Sequence, residues 1–485
     1  MGRHVAGALN GNGVDDGLAF ALDAPIPGTL EIGRGAILLV RGSIAPSLGK
    51  LLRGFVVELD GERQRFDARG EIRADRAPRH GRTPRGVFLP VRVASTRAGT
   101  RARLRIIAQH RAGETVLVDQ SIAFIAHARR PERIDTPIAI CLATYNPDPA
   151  LLRRQLDSIR AQTRRDFTCL IHDDGSRLER WAAIEELARV DERFRVFRAE
   201  HNRGFYRNFE AALSLVPPST PYVALCDQDD FWYPDKLAAC IERLEANPRA
   251  QLVYSDMRIV RGDGEVVAST YWTTRRNNFT NLDTLLFANT VTGAASVFRG
   301  ALLDAALPFP PERGLAFHDH WLACTAFVAG GLDYVDRALY DYTQHGANVI
   351  GHMGFGPLTV AGALWRHARN TLEMIVKPPR VATNLWSALA AYYNEYLRVH
   401  LIAETLTLRF PDATAGIKQT LALFDDRIER VADLMLTRHF GISRRGDTTD
   451  GIEFRLGMGL LLHKTVVPAL MPLVAARRRL RPKRA

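Results

Sequence analysis

Between residues 138 and 254, short apolar runs alternate with stretches whose apolar residues recur at helical spacing, and this alternation narrows the fold more than any other property of the chain. Residues 138–143 read as a buried strand. Leu151, Leu152, Gln155, Leu156 and Ile159 then share one helical face, and residues 167–171 read as the next strand. Further strands are expected at 194–197, 222–226 and 252–254, with helices between them. Such alternation builds a mostly parallel α/β sheet covered by helices, with ligands held beyond the carboxyl ends of the strands.

The flanks read differently. From about residue 17 to 128 the chain holds short apolar or alternating runs, among them Gly54-Phe55-Val56-Val57-Glu58-Leu59, separated by turn signals such as Asp60-Gly61. This pattern predicts an all-β sandwich of hairpins. Beyond about 357, Leu385, Leu389, Tyr392, Tyr393, Tyr396 and Leu397 are spaced as on a helix. A length of 485 residues suits two or three domains. The expected division is an N-terminal β-sandwich at 1–130, an α/β domain at 131–356 and a helical region at 357–485.

Composition excludes some classes. The five cysteines are odd in number and lack CxxC spacing, so neither a disulfide framework nor a zinc site is expected. The N-terminus has no apolar core of signal-peptide length, so export is not expected. Net charge is +12, but no zinc-finger or RNP-type motif accompanies it, so nucleic acid is not an expected partner. The largely apolar stretch 456–476 leads into Arg477-Arg478-Arg479-Leu480-Arg481-Pro482-Lys483-Arg484. His463, Lys464, Pro468 and Pro472 interrupt it, which disfavours a spanning helix. Two readings stand: a helix lying on an anionic membrane surface, or a core helix with a solvated basic tail.

Chemistry concentrates in Cys226-Asp227-Gln228-Asp229-Asp230-Phe231-Trp232, three carboxylates in four residues directly after a strand. Acids so close repel one another, and a hard divalent cation relieves the repulsion. On an extended segment Asp227 and Asp229 share a face and suit Mg²⁺ or Mn²⁺ against a diphosphate, although a polar turn has the same composition. Thr144-Tyr145-Asn146-Pro147 follows the first strand without the glycines of a dinucleotide-binding loop. His172-Asp173-Asp174-Gly175-Ser176 follows the second, and Asn202-Arg203-Gly204 precedes a helix. Farther on, Asp319 sits between His318 and His320 beside aromatic residues, a setting that favours a general base. His345, within Gln344-His345-Gly346-Ala347-Asn348-Val349-Ile350-Gly351, is a candidate third metal ligand.

Taken in order, Thr144-Tyr145-Asn146-Pro147, Asp173-Asp174-Gly175-Ser176, Asn202-x-Gly204, Asp227-Gln228-Asp229-Asp230-x-Trp232, His318-Asp319-x-Trp321 and Gln344-His345-Gly346-x-Asn348-x-Ile350-Gly351 resemble the GT-A-fold family 2 glycosyltransferases. The last three forms are most similar to the bacterial rhamnosyltransferase branch. The likeness covers approximately residues 137–352, and it departs from the family pattern at His320 and Ala347.

The resemblance implies an inverting, metal-dependent transferase that uses a nucleotide-sugar donor. Thr144, Tyr145, Asn146, Asp173, Asp174, Asn202, Gly204, Asp227, Gln228, Trp232 and Trp321 would bind the donor. Asp227, Asp229 and His345 would hold Mn²⁺ or Mg²⁺, and Asp319 would be the catalytic base. The implied reaction moves L-rhamnose from dTDP-L-rhamnose onto a glycan or lipid-linked glycan of a cell-surface polysaccharide, at the cytoplasmic face of the membrane. A UDP-galactofuranose or other UDP-sugar transferase is the nearest rival, and an inactive carbohydrate-binding or scaffold protein is the rival of another class.

Overall fold

The computed structural model describes residues 20–44, 52–67, 85–110, 113–128, 131–272, 277–312, 316–344, 392–424, 430–444, 449 and 452–466. Its first eight strands are β1 (Phe20–Leu22), β2 (Thr29–Ile32), β3 (Ala36–Ile44), β4 (Leu52–Leu59), β5 (Glu62–Asp67), β6 (Arg85–Val93), β7 (Arg101–His110) and β8 (Gly113–Ala126). They form a three-stranded sheet, β1-β3-β6, and a five-stranded sheet, β2-β8-β7-β4-β5. Leu38, Val40, Leu89 and Val91 from the first sheet meet Phe55, Val57, Leu104, Ile106, Ile122 and Phe124 from the second in one core. Two apolar faces closing on each other make the expected sandwich. At the β4–β5 turn, Asp60 and Gly61 have φ of 48° and 90°. Positive φ at both central residues matches the right-handed twist of a two-residue hairpin.

The central unit contains β9 (Ile138–Thr144), α1 (Pro149–Arg160), β10 (Phe167–Asp173), α2 (Leu178–Ala188), β11 (Phe194–Arg198), α3 (Phe205–Ser214), β12 (Tyr222–Cys226), β13 (Phe231–Trp232), α4 (Lys236–Ala246), β14 (Leu252–Arg261), β15 (Val266–Ala268), α5 (Leu282–Phe287), β16 (Ser296–Arg299), α6 (His318–Ala329) and β17 (Leu332–Gln344). The strand order is β11-β10-β9-β12-β16-β14-β17-β13, with β15 beside β14. β9 through β12 run parallel, whereas β16 is antiparallel to both its neighbours. Ile138, Ala139, Ile140, Cys141 and Leu142 of β9 are all fully buried, as a central strand covered on both faces requires. Helix α1 begins where Asp148 accepts from the amides of Ala150 and Leu151 and Pro149 fills the first turn. It packs Leu152, Leu156 and Ile159 onto the sheet, and each such side chain contributes about 1.5–3 kcal/mol on burial.

Register puts the candidate loops together. Thr144 pairs with Asp173 and Leu142 with Cys226, so the loops after β9, β10 and β12 leave the sheet at one edge. Strand order reverses between β9 and β12, which opens the crevice where α/β sheets hold ligands.

Helix α7 (Leu397–Arg409) fastens the other units to each other. Arg409 is 4% exposed, and its guanidinium donates to the carbonyls of Gly35, Ala305, Ala306 and Pro308 at 2.7–3.0 Å. Glu404 accepts from Arg92 of β6. One core accordingly runs from Ile37 and Phe88 of the sandwich through the central sheet to Leu456 and Leu460. Those two leucines are fully buried, so the beginning of the apolar stretch 456–476 is core and not free for a bilayer. No helix among the described residues is long and apolar enough to cross a membrane. Residues 467–485, Leu385, Leu389 and His345 lie outside the described residues, as do the side chains of Tyr392 and Tyr393.

Candidate active site

The loops after β9 and β10 are bound to each other. Thr144 Oγ1 donates to Asp173 Oδ1 at 3.1 Å, and the Ser176 amide donates to Asp173 Oδ2 at 2.8 Å. Asp174 accepts from the amides of Arg203 and Gly204 at 2.9 and 2.8 Å. Both carboxylates are essentially buried and satisfy neighbouring backbone, so they hold the loops of the crevice wall in place. Gly204 has φ +87° at the start of α3, and Gly175 has φ +73° where a Cβ would come within 3.0 Å of the His201 carbonyl carbon. These two positions need glycine.

Asn146, itself at φ +44°, donates its amide to Ser176 Oγ at 2.7 Å and accepts from the Arg177 amide at 3.0 Å. Gln228 accepts from the Tyr145 amide at 2.8 Å, joining the β9 loop to the acidic loop across the crevice. The Tyr145 ring is 48% exposed, and Asn202 is exposed as well.

Asp227 and Asp229 are half-buried after β12, and Asp230 is fully buried. Burial, then the charges of Asp229 and Asp319, push the Asp227 carboxyl up to about 7, opposed by Lys236. Asp230 is raised too, by burial first and then by Asp229 and Asp227. Its Oδ1 accepts from the Thr343 amide at 3.1 Å, while Oδ2 is buried without a partner. Mutually repelling acids with an unsatisfied buried oxygen fit a divalent cation, since oxygen ligands and extra positive charge are what such an ion trades. No group of three or more His, Cys, Asp or Glu side chains forms a metal centre among the described residues, and His345 lies outside them.

Asp319 lies in the first turn of α6, and its charge helps to raise Asp227. It accepts from Asn289 Nδ2 at 3.0 Å, the Gly293 amide at 3.2 Å and the His320 amide at 2.6 Å. Burial raises it to about 6, against these backbone donors and the Arg398 charge. The flanking histidines do not produce this shift. His318 stacks on Phe209 with ring centroids 3.7 Å apart, His320 Nε2 bonds the Leu285 carbonyl at 2.9 Å, and burial pushes both rings down to about 3. Adjacent residues on a helix point apart, so neither ring is placed to tune the carboxylate.

The two motif tryptophans are in the interior. Trp232 is fully buried with its ring against Lys236, and Trp321 is 1% exposed and donates Nε1–H to the Ala306 carbonyl at 2.9 Å. Both pack behind the crevice instead of lining it, because their flat faces fill the space between sheet and helices. Sequence reasoning missed Asn289, Gly293, Arg154 and Lys236. Arg154 of α1 donates to the Asp229 carbonyl at 3.0 Å and steadies the acidic loop from behind. Only Lys236, four residues after Trp232, lay close enough to a motif to be noticed.

Residues 139–304 match the profile of Glycosyl transferase family 2. The matched stretch runs from β9 through β16 and includes the loops that carry Thr144, Asp173, Asp174, Asp227 and Asp229. The Succinoglycan biosynthesis protein ExoW of Rhizobium meliloti is 36% identical over 102 residues, 21% of this chain and 31% of that protein. An uncharacterized glycosyltransferase of Nostoc, alr2836, is 27% identical over 223 residues, 44% of this chain and 66% of its own length. The chain thus spans less than two thirds of these relatives. Among solved structures, Staphylococcus aureus TarS 1–349 in complex with UDP-GlcNAc aligns at 17% identity with a TM-score of 0.41, over 71% of this chain and 88% of that one.

Proposed function

We propose, starting from a central domain of the family 2 glycosyltransferase type, that this chain transfers a sugar from a nucleotide-diphosphate donor to an acceptor hydroxyl with inversion at the anomeric carbon. The observation that carries the reading is Asp319. Its carboxylate is held by three N–H donors, is raised to about 6, and bears with its charge on Asp227. A base that ionises just below neutral pH can take a hydroxyl proton and still be in its active form.

In this mechanism Tyr145, exposed at the crevice, stacks on the nucleotide base, and the loops built by Thr144, Asn146, Asp173, Asp174, Asn202 and Gly204 hold the nucleoside. Asp227 and Asp229 face the diphosphate. Bound there, Mn²⁺ or Mg²⁺ would neutralise the charge of the leaving nucleotide diphosphate, with His345 as the proposed third ligand. Asp319 accepts the proton of the acceptor hydroxyl as the new C–O bond forms. The bond from the anomeric carbon to the leaving phosphate oxygen breaks on the opposite face.

The proposed donor is dTDP-L-rhamnose, on the form of the D-Q-D-D-x-W and H-D-x-W motifs. The proposed acceptor is a lipid-linked cell-surface polysaccharide, in keeping with the short match to a succinoglycan biosynthesis protein. The basic residues beyond 476 would bring the enzyme to an anionic membrane surface.

A thermal-shift panel of dTDP-rhamnose, UDP-galactofuranose, UDP-glucose, GDP-mannose and NAD, each with Mn²⁺ and with EDTA, tests the class and the donor together. Stabilisation by dTDP-rhamnose that requires Mn²⁺ is expected. A shift with UDP-sugars alone keeps the class and replaces the donor. No shift with any nucleotide sugar overturns the transferase reading in favour of a binding protein.

A further inference from the structure

Lys236 opens α4, and its side chain is fully buried. Its Nζ lies 3.7 Å from the centroid of the Trp232 ring and 4.6 Å from that of Tyr340, and it donates to the Ala294 carbonyl. An ammonium inside a protein is costly unless rings, carbonyls and opposite charges compensate it, and an apolar side chain of similar length would pack there without that cost. Besides the two rings, the Ala294 carbonyl of a tight turn accepts from the ammonium, and the charges of Asp230 and Asp227 favour it.

That turn, Gly293–Ala295, touches the proposed base. The amide of Gly293 donates to Asp319 Oδ2 at 3.2 Å, and Ser296 Oγ closes the turn onto the Thr292 carbonyl at 2.8 Å. A Cβ on Gly293 would lie 2.6 Å from His318 Nε2, so the turn is packed against the first residues of α6 without slack. Asn289, the second side of the cradle, donates to Asp319 Oδ1 and accepts from the Val291 amide, which leaves no slack upstream either.

We propose that Lys236 is a positioning residue: seated between the Trp232 and Tyr340 rings, its ammonium anchors the Gly293–Ala295 turn and thereby fixes the Asp319 carboxylate relative to the acidic loop at 227–230. The catalytic meaning of this anchor rests on the transferase reading, whereas the anchor itself does not. It also explains why a lysine occupies a core position. A neutral side chain could fill the volume but could not hold a carbonyl and balance two carboxylates at once.

The test uses the full chain with Lys236→Met, which keeps the length of the stem without the charge, and Lys236→Gln, a shorter neutral donor. Two quantities are read: steady-state kinetics per folded molecule, and hydrogen exchange by mass spectrometry. For Lys236→Met, kcat is expected to fall about 100-fold, the scale of loss when a reacting group is misplaced, with donor KM nearly unchanged. Exchange in peptides covering 289–296 should quicken while 85–110 stays protected, and Lys236→Gln should recover part of both effects. A merely structural lysine would lower the melting temperature and speed exchange throughout the core while kcat per folded molecule stayed the same. That result, or unchanged exchange at 289–296, overturns the proposal. If the wild-type protein turns over no nucleotide sugar, the transferase reading fails on its own account, and the exchange comparison still decides the anchor. Should Lys236→Met not fold, Lys236→Gln carries the same two readouts.

Discussion

Replacing Asp319 by Asn separates chemistry from folding. The carboxyl moves from 3.8 to about 6 in the folded protein. At about 1.4 kcal/mol per pH unit, its ionised form costs the native state roughly 3 kcal/mol. Because the folded value lies above the unfolded one, native protein binds more protons between about pH 4 and 6. This site's contribution to stability is therefore greatest below about pH 4 and is lost as pH rises through about 6. Asn removes that dependence. It also turns an NH₂ group toward donors that a carboxylate accepted, Asn289 Nδ2 and the Gly293 and His320 amides, which returns about 1–3 kcal/mol of the relief. Near pH 8 the two effects nearly cancel, so the melting temperature of metal-free Asp319→Asn should stay close to wild type. Loss of a general base meanwhile lowers kcat by about 10²–10⁴-fold. The assays are nucleotide-diphosphate release with donor and acceptor at pH 8, and melting curves of both proteins from pH 5 to 8 in EDTA. Turnover within tenfold of wild type would refute the base assignment, and parallel melting curves across that range would refute the raised carboxyl.

Other predictions follow from the same geometry. Asp227→Asn should abolish the Mn²⁺-dependent part of any donor-induced thermal shift and, by removing a half-buried charge beside Asp229 and Asp319, should not lower the melting temperature in EDTA; equal metal-dependent shifts in variant and wild type would rule out Asp227 as a ligand. Gly293→Ala forces a Cβ to within 2.6 Å of His318 Nε2 and should reduce kcat by about tenfold or more through the turn that holds Asp319, a loss that kinetics with an unchanged donor KM would verify. Arg409→Met leaves four carbonyls without their donor and should cost about 1–3 kcal/mol in urea unfolding for each one that water does not reach, with earlier proteolysis between sandwich and central domain as the accompanying sign. Removal of residues 467–485, a cut that spares buried Leu456 and Leu460, should end sedimentation with anionic liposomes; full retention on the vesicles would exclude the tail as the anchor.

Much of the architecture is legible in local sequence pattern. The strands at 138–144, 167–173, 194–198, 222–226 and 252–261 begin within the expected runs; β9 and β10 show why, since central parallel strands buried on both faces are nearly continuously apolar. The hairpins of the sandwich announced themselves through alternation and Asp60-Gly61. The strands β13, β15 and β16 and most of β17 left no comparable signal. They are short, or they pair antiparallel, or they owe their form to the neighbour they complete.

At the site, local sequence placed the loops after β9, β10 and β12 at the carboxyl edge, since a strand followed by polar residues ends there whatever lies beside it. What it did not give was the orientation of each side chain. Trp232 and Trp321 look like ligand contacts in a motif, yet burial of their large faces inside the core decides their place. His318 and His320 flank Asp319 in sequence, but helix geometry turns them away from it. Asn289, Gly293 and Lys236, from 83 to 26 positions distant from Asp319, reach it or its cradle only after the chain has folded. By itself, then, the sequence determined the α/β order, the sandwich and the presence of clustered acids, because these depend on periodicity and on neighbours a few residues apart. The tertiary structure alone decided what raises Asp227, Asp230 and Asp319 and what holds Asp319, because burial and through-space contacts are set by elements that sequence distance keeps apart.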